Sequence, residues 1–191
     1  LPRGPLPPGG LVAPNTAAFD IIGIVASTGG PAAIAKLLRG LDGRMMPPML
    51  VVQHMAPAFL EGYAGWLATV CGRDVVLASD LEEPVAGRVY VAPGNCHLSY
   101  RGGRIRLVAD NKGSGHVPSG DVLFASLAAS AGARALGVLL TGMGDDGARG
   151  LLELRQAGGH TIGQDQATSA VYGMPAAACA LGAVTEQFPI G

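Results

Sequence analysis

Short apolar runs alternate with longer amphipathic stretches along most of this chain. The runs are DIIGIVA, MLVVQ, ALGVLL and HTIGQ, and helix-like stretches such as PAAIAKLLRGL, AFLEGYAGWLATV and DGARGLLELRQAG follow the first three. Strands that alternate with helices of about 10 to 15 residues are typical of βαβ units. The pattern therefore predicts an α/β fold with three layers (α/β/α), doubly wound and Rossmann-like, around a mainly parallel sheet.

Two parts of the chain depart from this rhythm. The segments RVYVA and HLSYRGGRIRLVAD are read as alternating strands around Gly102 and Gly103, which predicts a β-hairpin insertion. Residues 1–19 are rich in proline and glycine and have no sustained period, so we expect a linker or arm there and a folded domain over 20–191. The chain begins with Leu rather than Met, which is compatible with a fragment of a longer protein.

Composition narrows the classes of function. Only 14% of the residues are charged and the formal net charge is -1, so no basic surface indicates nucleic acid or an anionic membrane as a partner. No apolar stretch approaches the ~20 residues of a membrane helix, which predicts no membrane insertion and a cytoplasmic location. Cys71, Cys96 and Cys179 lack CxxC spacing, so we expect no disulfide framework, no metal and no cofactor.

Three distant segments each place a reactive side chain directly after an apolar run or in the loop that follows it. They are IVASTGGP with Ser27, VVQHMAP with His54 and LLTGMGDDGA with Asp146. Active-site groups in open α/β sheets collect at the carboxyl ends of the strands. A serine nucleophile needs a base for its proton, and the imidazole needs a carboxylate to fix its tautomer. The sequence therefore predicts a hydrolytic triad of these residues.

Each of these residues also has a structural alternative. Ser27 precedes a helix in which Pro31 suits the first turn, so it is also a candidate helix cap, and a glycine-rich turn of this kind is also typical of phosphate binding. His54 is also a candidate for a structural hydrogen-bonding residue. Asp145 or Asp146 is equally placed to cap the helix that follows. These alternatives remain open at the level of the sequence.

The other three histidines are the remaining candidates for a general base. They are His97, His116 and His160; His97 begins the hairpin and His160 begins a late strand, so neither of these two lies at an obvious carboxyl end. The glycines beside the serine and around Met143 leave the backbone open to a reacting carbonyl group. We therefore expect the backbone N–H groups of Thr28 and Met143 to stabilise the oxyanion.

Six segments resemble, in order through residues 20–191, the catalytic domain of the chemotaxis protein-glutamate methylesterases of the CheB type. They are IVASTGGPAAI, VVQHMAPAFLEGYAGWL, VYVAPGNCHLS, HVPSGDVLFASLA, LLTGMGDDGARGL and GQDQATSAVYGMPAAA. The resemblance implies that the family's nucleophile, base and orienting acid fall on Ser27, His54 and Asp146. It implies hydrolysis of γ-glutamyl methyl esters on chemoreceptor cytoplasmic helices, releasing methanol, with deamidation of receptor glutamines as a related activity. The implied partners are a methylated chemoreceptor and, in a full-length protein, a phosphorylatable receiver domain.

The chain departs from the family pattern at three places. Val117 and Gly120 replace Arg and Val of the usual His-Arg-Pro-Ser-Val-Asp, and Gln166 replaces Glu of the usual Gln-Asp-Glu. The lost charges bear on substrate preference more than on the chemistry. They motivate an alternative, a receptor-binding regulatory module of the same fold with altered catalysis. A nucleotide-binding Rossmann-like domain is a third hypothesis, although no G-x-G-x-x-G follows the first strand.

Overall fold

The structure is a computed structural model that describes residues 19–41, 46–111, 113 and 115–190. The linker or arm predicted over residues 1–19 therefore lies, apart from Phe19, outside the described residues. The elements below all fall within the described ranges.

A sheet of seven parallel strands forms the centre of the domain. Its strands, numbered in chain order, are β1 (Ile21–Ala26), β2 (Met49–Gln53), β3 (Val75–Leu77), β4 (Val89–Val91), β7 (Ala135–Leu139), β8 (His160–Gln164) and β9 (Glu186–Phe188). Their order across the sheet is β3-β4-β2-β1-β7-β8-β9, and every neighbouring pair is parallel. The predicted parallel sheet is confirmed.

Helices cover both faces of this sheet. The five α-helices are α1 (Gly30–Gly40), α2 (Pro57–Cys71), α3 (Gly120–Ser130), α4 (Ala148–Gln156) and α5 (Met174–Ala180). Side chains of α1 and α2 share one buried apolar cluster with the sheet, whereas those of α3, α4 and α5 share a second cluster on the other face. The three-layer architecture predicted from the sequence is therefore confirmed.

Burial on both faces explains why the strands read as continuous apolar runs. Along β1, Ile22 and Ile24 point into the cluster with α1 and α2, while Ile21 and Val25 point into the opposite cluster. Successive strand side chains alternate between faces, so a strand covered on both sides must be apolar throughout.

The predicted hairpin is also present, as a separate two-stranded sheet of β5 (His97–Arg101) and β6 (Arg104–Val108). Its turn residues Gly102 and Gly103 have φ of 59° and 77°, and two positive φ values are what a type I′ hairpin turn requires. Two strands were not predicted, β3 and β9. Each has three residues: β9 is exposed throughout, and the apolar run of β3 is too short to identify a strand by itself.

The strand order places the candidate site. Strands β2, β1 and β7 are neighbours at the centre of the sheet, and the chain runs from β1 to one side and later returns to the other. Ligands of open α/β sheets bind at such a reversal of strand order, outside the carboxyl ends. The segments that follow these three strands therefore meet at one place.

Close backbone packing between α3 and α4 supports this end of the sheet. A Cβ added to Gly150 would overlap the backbone oxygen of Asp121 and lie 2.8 Å from its Cα. Gly150→Ala should lower the free energy of unfolding by about 1 to 3 kcal/mol, because one helix must move. Urea denaturation measures this change.

Gly62→Ala is the matched control. Gly62 lies exposed in α2 with no heavy atom within 4 Å of an added Cβ. We expect this substitution to raise the free energy of unfolding by about 0.4 to 1 kcal/mol, because alanine reduces the freedom of the unfolded chain. Equal stability of the two variants would contradict tight packing at Gly150.

Candidate active site

Ser27 lies one residue beyond β1, in a tight turn that leads into α1. Its N–H donates to Thr141 O at 3.0 Å, and its carbonyl oxygen accepts from Gly30 N–H at 2.8 Å. Gly29 precedes the helix with φ 79° and ψ -7°, values typical of the third residue of a type II turn. No side chain caps α1, so the alternative that Ser27 is a helix cap is wrong.

His54 follows β2 and pairs with Asp146 across the neighbouring strand β1. The distance from His54 Nε2 to Asp146 Oδ2 is 2.7 Å, and the two side chains are only 12% and 7% exposed. The other ring nitrogen, Nδ1, is buried and has no hydrogen-bond partner among the described residues. The structure thus joins two of the three predicted site residues, and the hydrogen bond from Ser27 to His54 stays a prediction.

Asp146 faces the amino end of α3 rather than the helix that follows it in the chain. Its Oδ1 accepts from the Ser119 hydroxyl at 2.8 Å and from Asp121 N–H at 3.1 Å, and its Oδ2 accepts from Gly120 N–H at 2.6 Å. Helix α4 begins at Ala148 with Gly147 as its N-cap and no side-chain cap. The alternative that Asp145 or Asp146 caps α4 is therefore wrong.

These hydrogen bonds control the charge of Asp146. Burial by itself raises the pKa of this carboxyl, but the bonds from His54, from the two α3 amides and from Ser119 outweigh it and lower the pKa from 3.8 to about 2. The positive end of the helix dipole favours the same charge. Burial and the nearby Asp146 charge raise the pKa of Asp121. Asp146 is thus held as a carboxylate that can stabilise a protonated imidazole.

The other histidines lie apart from this pair or cover it. The His116 ring stacks on the His54 ring, with centroids 4.6 Å apart and planes 10° from parallel. His97 Nδ1 accepts from Ser119 N–H at 3.2 Å, and His160 is the first residue of β8, at the amino end of that strand. Of the four histidines, His54 is the one bonded to Asp146.

The backbone beside Ser27 presents two candidate oxyanion donors. Within the described part of the chain, no hydrogen bond engages the N–H of Thr28 or of Met143. A Cβ on Gly142 would lie 2.7 Å from the Cβ of Ser27 and would overlap Met174 Sδ, so only glycine lets this loop come so close. The Met143 side chain is 70% exposed and points away from the core.

Several residues of the site were not identified from the sequence. Ser119, Gly120 and Asp121 bind the Asp146 carboxylate, and the Gln53 side chain donates to the backbone oxygens of Ser27 and His54. Ser119 is the N-cap of α3, with its side chain accepting from Val122 N–H. A Ser before a helical pattern signals such a cap, but nothing in the sequence signals its second bond to a carboxylate 27 residues away.

The described residues contain no metal centre and no membrane-spanning helix. Among residues 19–41, 46–111, 113 and 115–190, no cluster of three His, Cys, Asp or Glu side chains is placed to hold a metal ion. In the same ranges, no helix combines the length and the apolar character needed to cross a membrane. Cys71, Cys96 and Cys179 form no disulfide.

The fold and the site together define a three-layer α/β domain with a buried histidine–aspartate pair beside a strand-end serine. Residues 22–191 match the CheB methylesterase family, and the chain belongs to this family. The chain is 46% identical to protein-glutamate methylesterase/protein-glutamine glutaminase 1 of Anaeromyxobacter dehalogenans, covering 99% of this chain and 55% of that protein. It is 49% identical to the protein of the same name in Caulobacter vibrioides, covering 88% and 50%.

A solved structure agrees with this assignment. The crystal structure of the Thermotoga maritima CheB methylesterase catalytic domain is 32% identical in sequence and superimposes with a TM-score of 0.84, covering 91% of this chain and 94% of that one. By contrast, the chain spans about half the length of the curated relatives it matches.

The lowered pKa of Asp146 predicts a specific loss of stability in acid. Because the folded pKa is about 2 and the ordinary value is 3.8, the stabilisation is complete above the ordinary value and is lost as the pH falls towards 2. The advantage of wild type over Asp146→Asn in free energy of unfolding should shrink across this interval. Urea denaturation in steps of pH measures it, and a constant difference would contradict the assignment.

Proposed function

We propose that this chain is a serine hydrolase that demethylates γ-glutamyl methyl esters on chemoreceptor cytoplasmic helices and releases methanol. The observation that carries the proposal is the buried pair of His54 and Asp146 beside the turn of Ser27, in a domain of the CheB methylesterase family. Deamidation of receptor glutamines by the same groups is the related activity, as the names of the relatives indicate.

The proposed reaction uses both nitrogens of His54. Asp146 accepts a hydrogen bond from the Nε2–H group, which leaves Nδ1 as the base. Ser27 Oγ attacks the ester carbonyl carbon while Nδ1 takes the hydroxyl proton, and the Thr28 and Met143 N–H groups stabilise the oxyanion. Collapse transfers that proton to the departing methoxide and yields methanol. Water then attacks the acyl-enzyme by the same route and frees the glutamate carboxyl.

An open surface beside the site suits a substrate on a long helix. A shallow apolar groove of about 510 Å³ is lined by residues that include Pro31, Met55, Phe59 and Trp66, and Met55 is the residue directly after His54. A side-chain ester needs only such a shallow approach, whereas a small free substrate is usually enclosed. The groove therefore supports a protein substrate.

The partners and organisation follow from the same proposal. The methylated chemoreceptor is the substrate partner, and its cytoplasmic helices would place the enzyme in the cytoplasm. Residues 20–191 form the catalytic domain, and residues 1–19 are the linker to a phosphorylatable receiver domain in the full-length protein. Relatives of about twice this length are compatible with such a further domain.

Substitution of the triad provides the main test. Ser27→Ala and His54→Ala should each abolish most methanol release from methylated receptor, and the double variant should lose little more, because the residues act as one unit. Asp146→Asn should slow turnover by misorienting the imidazole. Losses that add across the single and double variants would show that the residues do not share a mechanism. Full activity of Ser27→Ala would show that Ser27 is not the nucleophile, whereas a wild type without ester hydrolysis would favour the regulatory-module alternative.

Position 117 tests how the receptor is attracted. Val117 follows His116, whose ring stacks on His54, and is 36% exposed, so it lies at the rim of the site. Val117→Arg restores the charge of the family pattern and should raise kcat/KM on methylated receptor at low salt, with a steeper fall at high salt, because charge pairing chiefly raises the encounter rate. An unchanged rate and salt slope would show that position 117 does not face the substrate.

A further inference from the structure

We propose that Gln53 is a positioning residue that orients the Thr28 N–H towards the oxyanion. The inference rests on the proposed function for its chemical meaning, but the geometry that carries it is independent of any substrate. Gln53 is the last residue of β2, directly before His54, and is only 1% exposed. It touches no proposed reacting atom, so its effect must pass through the backbone.

The side-chain amide of Gln53 bonds the backbone of both the serine and the histidine. Its Nε2 donates to Ser27 O at 2.9 Å and to His54 O at 3.0 Å. Both neighbours of this nitrogen are carbonyl oxygens, so only an NH₂ group fits there. One side chain thus ties the turn after β1 to the turn after β2.

Holding the Ser27 carbonyl also fixes the direction of the next N–H. The peptide unit is planar and trans, so its C=O and N–H point in opposite directions. The Ser27 carbonyl accepts from Gln53 Nε2 and from Gly30 N–H, on the side of the helix and of β2. The Thr28 N–H of the same peptide must point the other way, and no bond within the described residues engages it.

The peptide that carries the second proposed oxyanion donor, Met143 N–H, is also oriented through its carbonyl oxygen. The Gly142 carbonyl accepts from Gly173 N–H at 3.1 Å and from Met174 N–H at 2.9 Å, which aims the Met143 N–H in the opposite direction. Two backbone donors hold that peptide, whereas the Ser27 peptide has one backbone donor and one side-chain donor. Gln53 therefore supplies the second hydrogen bond to the Ser27 carbonyl, which no backbone N–H of the described residues provides there.

Within the described part of the chain, the NH₂ group, and not the oxygen, is the part of the Gln53 amide that makes hydrogen bonds. Its Oε1 is buried and has no hydrogen-bond partner among the described residues, an unfavourable arrangement in itself. A Cβ on Gly30 would overlap this oxygen and lie 2.9 Å from Gln53 Cδ, so the helix start leaves room for the amide only because it is glycine.

The direct test is the residual dipolar coupling of the Thr28 N–H in partly aligned, ¹⁵N-labelled protein, which reports the direction of that bond. Gln53→Met keeps the length of the side chain and removes both donors. We expect the Thr28 coupling to change while those within β1 and β2 stay. An unchanged Thr28 coupling would overturn the proposal.

Thr161→Val is the matched control. The Thr161 hydroxyl is buried and donates to a backbone carbonyl, Ala183 O at 2.6 Å, away from the site. This variant should lose stability without altering the Thr28 coupling. An equal change in both variants would show general loosening and would overturn the proposal. If Gln53→Met does not fold, hydrogen exchange in the wild-type protein provides the test. Both Gln53 Nε2 protons should exchange slowly with water, and rapid exchange of either proton would refute its hydrogen bond.

Kinetics then connect the geometry to the reaction. Gln53→Met should lower kcat on a methyl ester by about 10- to 100-fold, somewhat less than deletion of an oxyanion donor, with KM within about twofold. Affinity for a boronic acid that forms a tetrahedral adduct should fall by the same factor. Retained kcat and boronate affinity would overturn the positioning role. A wild type that hydrolyses no ester would refute the proposed function, while the coupling would still decide the orientation of Thr28.

Discussion

The buried carboxylate of Asp146 is the constraint on which the rest of the site depends. A charge that is only 7% exposed is stable only when its oxygens are hydrogen-bonded. The chain meets this need by bringing the amino end of α3 against the loop after β7, with the Ser119 hydroxyl and two backbone amides as donors. His54 completes the set. These hydrogen bonds offset the cost of burying the charge, and they also keep the carboxylate ionised next to the imidazole. The same contacts therefore stabilise the fold and orient His54.

Glycine makes this convergence of segments possible. At Gly142 the loop after β7 approaches Ser27 so closely that an added Cβ would lie 2.7 Å from the serine Cβ, and at Gly150 helix α4 lies against the backbone of α3. A side chain at either position would separate segments that must touch. The glycine content of the chain therefore serves backbone contact around the site as well as turns such as the hairpin of β5 and β6.

Much of the fold and part of the site are predictable from the sequence for a simple reason. Strands buried on both faces are largely apolar, so β1, β2 and β7 are visible as runs, and the carboxyl ends of parallel strands indicate where reactive groups meet. The expectation that reactive groups collect at the carboxyl ends of parallel strands identified His54 and Asp146 as neighbours. The hydrophobic pattern did not identify β3 or β9. Strands of three residues at the edge of a sheet are too short to show a period and are defined by pairing with a neighbour.

The sequence by itself determined the layers and the central strands and indicated the candidate reactive side chains, because hydrophobic periodicity and residue chemistry are local properties. Only the tertiary structure decided which alternative applies to each side chain. Asp146 binds the amino end of α3 and does not cap α4, Ser27 does not cap α1, Ser119 binds a carboxylate as well as its own helix, and the His116 ring stacks on His54. Gln53 joins the backbone of two turns whose sequence separation is 26 residues. Such contacts depend on strand order and on the direction of individual hydrogen bonds, and no local pattern encodes either.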